Sequence, residues 1–199
     1  GEWSFRQDVF AGGESSKNNP YQKLITTDKT TTKWTNIVGA SLEMNRDWFT
    51  TRITYVQSDF SQTDAATGEK LQQASGDDHG TQQFYGVALN GDFDDWIVRS
   101  EFDIADRSKF AYKSRFFLVN VGYRVGSFIP TLGMSSYSES TPFPNAYATI
   151  KNRTYTGTLR YDINGRSDLK IQFDRVVDRS ETPFMGSSKA IAIAYDIVY

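Results

Sequence analysis

The stretch WIVRSEFDIA, residues 96–105, alternates between two kinds of side chain. One set of alternate positions is mostly large and apolar, namely Trp96, Val98, Ser100, Phe102 and Ile104. The other set is charged at its centre, with Ile97, Arg99, Glu101, Asp103 and Ala105. Because successive side chains of a β-strand point to opposite faces, the pattern predicts a strand with one apolar face and one charged face.

The same period of two recurs along the chain, and no segment keeps a helical period over three turns. It predicts ten strands, at residues 2–11, 33–44, 48–60, 82–92, 96–105, 114–125, 128–137, 153–163, 168–177 and 189–199. Most of them exceed the roughly 5–6 residues typical of globular strands. They match the roughly 9–11 residues that a tilted strand needs to cross a bilayer.

The predicted connections alternate in length along the chain. The short ones lie at 45–47, 93–95, 126–127 and 164–167, and the last contains Asn164-Gly165, a strong hairpin signal. The long ones lie at 12–32, 61–81, 106–113, 138–152 and 178–188, and they are rich in Ser, Thr, Asp, Gly and Pro. This alternation predicts an antiparallel meander whose two ends face different environments.

The composition excludes several kinds of site. The chain has no cysteine and one histidine, His79, so it has no disulfide, thiolate or multi-histidine metal site. The net charge of −2 does not indicate a nucleic-acid partner. Aromatic residues make up 15% of the chain, and several lie near predicted strand ends: Trp34, Trp48, Phe93, Trp96, Tyr123, Phe128 and Tyr199. Such positions are typical of an aromatic belt at a membrane interface.

Two architectures fit the alternation. A soluble sandwich turns apolar faces inward and charged faces to water. A membrane barrel turns the apolar face to lipid and the charged face to a watery lumen. Strand length, the asymmetry between turns and loops, and the aromatic belt favour the barrel. Ten strands either close alone or contribute to a larger barrel.

Four segments carry a family resemblance: WFTTRITYVQSDF (48–60), FYGVALNGDFDDWIVRSEF (84–102), FFLVNVGYRVGSFIPTLGMSSYS (116–138) and AIAIAYDIVY (190–199). They resemble the C-terminal half of Gram-negative outer-membrane porins and porin-like proteins, over residues 33–199. The resemblance implies an all-β, transmembrane antiparallel meander β-barrel, with residues 1–199 as one barrel domain or the C-terminal part of a barrel of about 16–18 strands. No separate soluble domain is expected.

The resemblance also implies a function and a location. It implies a water-filled channel for passive diffusion of small hydrophilic solutes or ions, often as a trimer, with no cofactor and no enzymatic activity. The short turns and both chain ends would lie in the periplasm, and the long loops outside the cell. Outer-membrane lipid, lipopolysaccharide and the outer-membrane assembly machinery are the expected partners. An assembly signal at the end of the last strand is implied at Ile193, Tyr195, Ile197 and Tyr199.

Strand parity assigns the candidate site residues. The predicted pore-lining residues are Arg52, Arg99, Glu101, Asp103, Arg124, Arg160, Asp162, Lys170 and Asp174. Their mixed signs do not imply strong ion selectivity, since opposed charges in a pore set a preference but also pair with one another. Arg115 and Arg175 fall on the apolar face toward the long loops. We expect them there either to contact phosphates of the outer-leaflet glycolipid or to extend to the headgroup level.

Two further functions stay open. The segment SGDDHG (75–80) places Asp77, Asp78 and His79 in a long loop, and an acid–histidine pair at a barrel rim could activate water as in a hydrolase. A solvated turn is the favoured interpretation, because polar clusters flanked by glycine are ordinary loop chemistry. The other alternative is a small closed barrel that is filled by its side chains and has a structural or adhesive role.

Overall fold

The computed structural model describes residues 1–17, 29–146, 148–182 and 186–198. These residues form ten β-strands and no helix, which confirms the all-β prediction. The strands are β1 (Ser4–Lys17), β2 (Thr30–Arg46), β3 (Phe49–Asp64), β4 (His79–Phe93), β5 (Trp96–Asp106), β6 (Lys113–Tyr123), β7 (Phe128–Ser140), β8 (Lys151–Asn164), β9 (Ser167–Asp178) and β10 (Ser188–Ile197). Within the described ranges, no helix is long and apolar enough to cross a membrane.

All ten strands belong to one sheet in which each strand pairs antiparallel with its neighbours in the sequence. This is the predicted meander, and it differs from a sandwich, in which two sheets pack against each other. Among the described residues the sheet is not closed, because β1 pairs only with β2 and β10 only with β9. Tight turns join the strands at one end of the sheet. Asp47 and Asp94 take φ values of 48° and 49° in two of these turns, as tight hairpins require.

The register separates the two faces of the sheet. Arg52 on β3 pairs with Ala88 on β4, and Ala88 pairs with Glu101 on β5, so these three side chains share one face. On the other face, the directly paired residues of the same strands are Ile53, Val87 and Phe102. We call the first the polar face and the second the apolar face. The predicted alternation is therefore confirmed in these strands.

The apolar face is the more exposed of the two. Leu132 is 75% exposed and Ile191 73% exposed, whereas Ala88 and Ile129 on the polar face are only 8% and 9% exposed. No second sheet covers either face within the described ranges. Lower exposure is what a sheet curved toward its polar face would produce, because side chains on a concave side crowd together. We call the polar face the inner face and the apolar face the outer face.

Aromatic pairs line the apolar face next to the tight turns. Ring centroids lie 4.8 Å apart for Trp96 and Tyr123, and 5.3 Å apart for Trp48 and Phe93. Phe128 lies 4.8 Å from Tyr161 in the same way. These rings are exposed, as the predicted belt requires. Tyr199, the last predicted member of the belt, lies outside the described residues.

Trp34 does not belong to this belt, and its prediction as a belt residue was wrong. It pairs with Phe60, whose ring centroid is 4.6 Å away, and both side chains lie on the polar face. Phe110, from the connection 107–112, stacks on Phe60 at 5.4 Å. It covers Gly80, where an added Cβ would lie 2.0 Å from the Phe110 ring. An apolar cluster therefore stands on the inner face near the long-loop end.

Candidate functional site: the charged inner face

The nine predicted pore-lining residues share the polar face. Eight lie in the strands, and Arg124 lies just beyond the last residue of β6, Tyr123. The structure resolves eight of them into three groups and leaves Asp174 among neutral polar side chains. The first and third groups include partner residues that the sequence prediction did not name. We describe the groups from the tight turns toward the long loops, and then across the sheet to β10.

The first group lies next to the tight turns and is centred on Asp92. Arg124 binds the Asp92 carboxylate through both terminal nitrogens, with Nη1–Oδ1 and Nη2–Oδ2 distances of 2.9 Å. The Nη2 atom of Arg99 lies 3.9 Å from Asp92 Oδ2. Arg99 also donates to the Gly91 carbonyl at 3.1 Å. Bidentate contacts of this kind hold the guanidinium in a fixed orientation. The Arg124 guanidinium is therefore held at the edge of the inner face next to the tight turns.

The second group lies in the middle of β3–β5. Arg52 Nη2 is 3.9 Å from Glu101 Oε1, and both side chains keep substantial contact with solvent. Asp103 follows two residues after Glu101 and lies over Gly86, where an added Cβ would be 2.7 Å from Asp103 Oδ1. These side chains border a groove of about 280 Å³ together with Phe84. The absence of a side chain at Gly86 leaves room for the Asp103 carboxylate.

The third group links β8, β9 and β10 in a continuous ion network. Arg160 Nε lies 2.5 Å from Asp162 Oδ1, and Arg160 Nη2 lies 3.2 Å from Asp168 Oδ2. Lys170 Nζ lies 3.7 Å from Asp168 Oδ1 and 2.5 Å from Asp196 Oδ2. Asp168 is 9% exposed and is shared by the two cations. The network ties the last three strands together on the inner face.

The register explains why this network needs both cations. Asp162 pairs directly with Asp168, and Asp168 pairs directly with Asp196, so three carboxylates stand side by side. Like charges in directly opposed positions destabilise a sheet. Arg160 and Lys170, which pair with each other in a neighbouring row, lie diagonally between the carboxylates and offset this repulsion.

Neutral polar side chains separate the charged groups. Asp174 accepts hydrogen bonds from Thr156 Oγ1 at 2.6 Å and from Gln172 Nε2 at 2.8 Å. A groove of about 660 Å³ runs over this area. Its floor includes Asn120, Thr131, Thr156, Thr158 and Gln172, and Arg99 and Lys170 also line it. Hydroxyl and amide groups of this kind exchange hydrogen bonds readily with water and with polar solutes.

The cluster of Asp78 and His79, predicted as a solvated loop turn, has a defined geometry, and His79 begins β4 instead of lying in the loop. His79 Nδ1 lies 2.7 Å from Asp78 Oδ1, and Lys70 Nζ donates to Asp78 Oδ2 at 2.6 Å. The hydrogen bond from Lys70, followed by that from His79, lowers the pKa of Asp78 from 3.8 to about 2. His79 is largely exposed. The described residues show no group of three or more His, Asp or Glu side chains suited to a metal ion.

We expect Lys70→Met to raise the pKa of Asp78 toward 3.8, because Lys70 supplies the largest stabilisation of the carboxylate. A lowered carboxyl pKa adds stability above pH 3.8 and loses it as the pH falls through about 2. The variant should therefore reduce the acid resistance of this loop. Carboxyl-carbon NMR titration measures the pKa. Lys109→Met, in another loop, serves as the control, and an unchanged Asp78 pKa in Lys70→Met would refute the assignment.

The remaining predicted residues lie on the apolar face. Arg115 pairs with Ile104 and Ser138, and Arg175 pairs with Tyr155 and Lys189. Both arginines are exposed near the long-loop ends of their strands. The described residues of the predicted assembly signal, Ile193, Tyr195 and Ile197, are exposed. They alternate with Ala194 and Asp196, which pair with Lys170 and Asp168 on the inner face. Tyr199 lies outside the described residues, and the assembly role stays a prediction.

The ion-pair partners Asp92, Asp168 and Asp196 were absent from the predicted site, and so was Glu139, a buried residue of the inner face. Strand parity could have placed Asp168 on the inner face, since Lys170 is two residues away. Asp92 follows the same parity in β4. Glu139 is different: it is buried, and it accepts hydrogen bonds from Tyr137 Oη at 2.5 Å and from the Ile150 amide at 2.9 Å. No sequence pattern predicts the hydrogen bond between Glu139 and the Ile150 amide, because a loop separates the two residues in the sequence.

Comparison of the sequence with protein-family models and with curated proteins found no match in either. The interpretation of the charged inner face therefore depends on its own geometry and on the sequence pattern.

Proposed function

We propose that this protein forms the wall of a water-filled β-barrel channel in a bacterial outer membrane, through which small hydrophilic solutes or ions diffuse passively. One observation carries the proposal. The sheet leaves its apolar face the more exposed and its charged face the less exposed. A protein folded in water gains stability by the opposite arrangement, because apolar burial is the main favourable term of folding. A bilayer replaces water on the outer face and removes the conflict.

The aromatic residues of the apolar face also support the proposal that this face contacts lipid. Trp96, Tyr123, Trp48 and Phe128 are exposed next to the tight turns. Amphipathic rings favour the boundary between hydrocarbon and water. The tight-turn end would thus lie at the periplasmic interface, and the longer connections would lie outside the cell. A homotrimer, as in porins, belongs to the same proposal.

The unpaired edges of β1 and β10 require a partner in this setting. An unsatisfied backbone group in hydrocarbon costs roughly several kcal/mol, so an open edge is not tolerated in a membrane. Both edges are paired on one side only. The channel would therefore close either by pairing β1 with β10 or by pairing both with further strands, in a barrel of about 16–18 strands.

A second candidate is a barrel filled by its own side chains, with a structural or adhesive role. The cluster of Trp34, Phe60 and Phe110 favours it, because this cluster occupies the inner face where a wide channel would be open. A narrow barrel of about eight strands has little space left after its side chains are placed. Electrical conductance separates the two candidates.

The test is single-channel recording of the purified protein in planar bilayers, with insertion verified independently. Stepwise currents are expected. The charge test uses Arg52→Gln with Arg99→Gln on the inner face. One unit charge is worth up to about 1 kcal/mol at about 4 Å in water, so the cation-to-anion permeability ratio should rise by up to about fivefold.

The matched control is Arg115→Gln with Arg175→Gln, which removes the same charge from the outer face. It should leave the permeability ratio unchanged. An inserted protein that passes no current would overturn the channel and favour the filled barrel. A monomeric, folded protein in plain buffer would overturn the membrane location itself.

A further inference from the structure

The groove of about 280 Å³ on the inner face combines charged, aromatic and small side chains. We call it the Asp103 groove. The register arranges its lining in three rows across strands β1 to β5. The row nearest the long loops holds Phe10 and Phe84, and the row nearest the tight turns holds Arg52 and Glu101. Asp103 lies in the row between them.

Glycines make room for the aromatic row. The Phe10 ring lies over its direct partner Gly39, where an added Cβ would collide with the ring. The Phe84 ring lies beside Gly86, where an added Cβ would be 3.1 Å from Phe84 Cε1. Gly39 and Val56 separate the two phenylalanines in the row. The groove therefore has an aromatic wall on its long-loop side.

The Asp103 carboxylate stands next to this wall without a cation of its own. Its Oδ1 atom lies 2.7 Å from the position of an added Cβ at Gly86, the same position that approaches the Phe84 ring. Asp103 takes part in no ion pair with another described residue. Glu101 faces Arg52, so the two carboxylates and one guanidinium leave one negative charge in excess.

This combination favours an organic cation over an organic anion. A carboxylate accepts charge-assisted hydrogen bonds from an ammonium group, and an aromatic face attracts the same charge. The hydroxyl groups of Ser41 and Thr54, in the row of Asp103, offer further acceptors. An anionic ligand would gain little at Arg52, because Glu101 already faces that guanidinium, and Asp103 would repel it.

The volume of the groove limits the size of the ligand. It lies just below the range of about 300–1,000 Å³ that is typical of pockets for drug-sized molecules. We propose that the Asp103 groove binds a small organic ammonium ion with an apolar tail. The ammonium group contacts Asp103, and the tail packs against Phe84 and Phe10. As the solute class of the channel, this inference rests on the proposed function, because the solute reaches the groove through the water-filled lumen.

The test measures the binding of isopentylamine to the protein in neutral detergent micelles by saturation-transfer NMR, with empty micelles as the background. Asp103→Asn should weaken binding about tenfold, because it removes the charge that the ammonium group contacts. The control Asp174→Asn removes the same charge elsewhere on the inner face, where Thr156 and Gln172 already bind the carboxylate. It should bind like the unaltered protein. Equal losses in both variants would overturn Asp103 as the site.

Two further variants test the wall and the space. Phe84→Leu keeps an apolar side chain but removes the aromatic face, so binding should weaken about threefold. Phe128→Leu, on the outer face, should have no effect. Gly86→Ala places a methyl group against Asp103 and should weaken binding although both contact residues remain. Unaltered binding in both Phe84→Leu and Gly86→Ala would overturn the groove as the location.

Related probes identify the chemical class. Isocaproate has the same tail with a carboxylate in place of the amine and should not bind, and free leucine, which carries both charges, should bind more weakly than the amine. Equal binding of either probe would overturn selection for a cation. Sodium ions at the same concentration should not displace the amine, and displacement would overturn the role of the apolar tail.

Two measurements separate these outcomes from other failures. Heat-dependent gel mobility reports whether each variant is folded, and Phe84→Leu replaces Asp103→Asn if the latter does not fold. Binding is measured in micelles and needs no conductance, whereas the channel is measured by single-channel recording. Binding by a protein that passes no current would overturn the channel and leave the amine site. Current without amine binding would overturn the amine site alone.

Discussion

Leu132→Arg should destabilise the protein in phosphatidylcholine bilayers by about 2–4 kcal/mol, as expected for a charge at the mid-depth of a lipid-facing strand. Leu132 lies near the middle of the apolar face of β7 and is 75% exposed. In water the same substitution at an exposed position would change stability by less than about 0.5 kcal/mol. The size of the destabilisation in bilayers therefore tests whether lipid or water covers the apolar face.

Thr131→Arg is the matched control for this substitution. Thr131 is the adjacent residue and lines the groove of the inner face, so its replacement points into water in the proposed channel. Urea unfolding of both variants in vesicles gives the two free energies of unfolding. Similar values for the two variants, or a Leu132→Arg protein that folds better in buffer, would contradict the orientation of the sheet.

Phe110→Ala should release the connection 107–112 from the inner face. Phe110 is 2% exposed and stacks on Phe60 at 5.4 Å, so its ring fills the space over Gly80. Truncation of a buried phenylalanine costs about 3–5 kcal/mol. Apart from the ring, the connection is held mainly by its own turn and by Thr141, whose Oγ1 donates to the Ala111 carbonyl at 2.6 Å.

Limited trypsin digestion measures this release, since Arg107 and Lys109 are cleavage sites within the connection. Cleavage of a transiently opened segment follows the population of the open form. The rate should rise about a hundredfold, which corresponds to a loss of about 3 kcal/mol. Phe128→Ala removes an exposed ring at the opposite end of the sheet and should leave the rate unchanged. Equal rates in the two variants would show that the aromatic cluster does not hold the connection.

The positions of the strands could be predicted because alternation is a local property. Each of the ten predicted strands overlaps one observed strand, and β5, Trp96–Asp106, extends only one residue beyond its prediction. The predictions were too short where alternation weakens. Strand β1 continues to Lys17 past a register shift between Gly12 and Glu14, and β2 contains a similar shift between Thr35 and Val38. A bulge inserts an unpaired residue, so the pattern of apolar residues no longer marks the strand.

Polar strand ends were missed for a different reason. Strand β3 runs on to Asp64, beyond the predicted end at residue 60, and β7 runs on to Ser140. Backbone pairing continues there, although the side chains are polar on both faces. An alternation of apolar and polar residues can reveal only the band of the sheet in which one face is apolar.

The sequence by itself determined the face of residues in the uninterrupted part of each strand, because a two-residue period is a consequence of backbone geometry. Arg52, Glu101 and Lys170 were assigned to the charged face in this way, and Arg115 and Arg175 to the apolar one. The tertiary structure decided which of these side chains meet. Asp162, Asp168 and Asp196 form one row, and Arg175 stands opposite Lys189, only because of the register between strands. Trp34 likewise shares the inner face because of the register shift between Thr35 and Val38, and it packs on Phe60, on which Phe110 from a distant connection stacks. Such contacts depend on the register between distant strands and on how loops pack against the sheet. The two-residue period of a single strand contains information on neither.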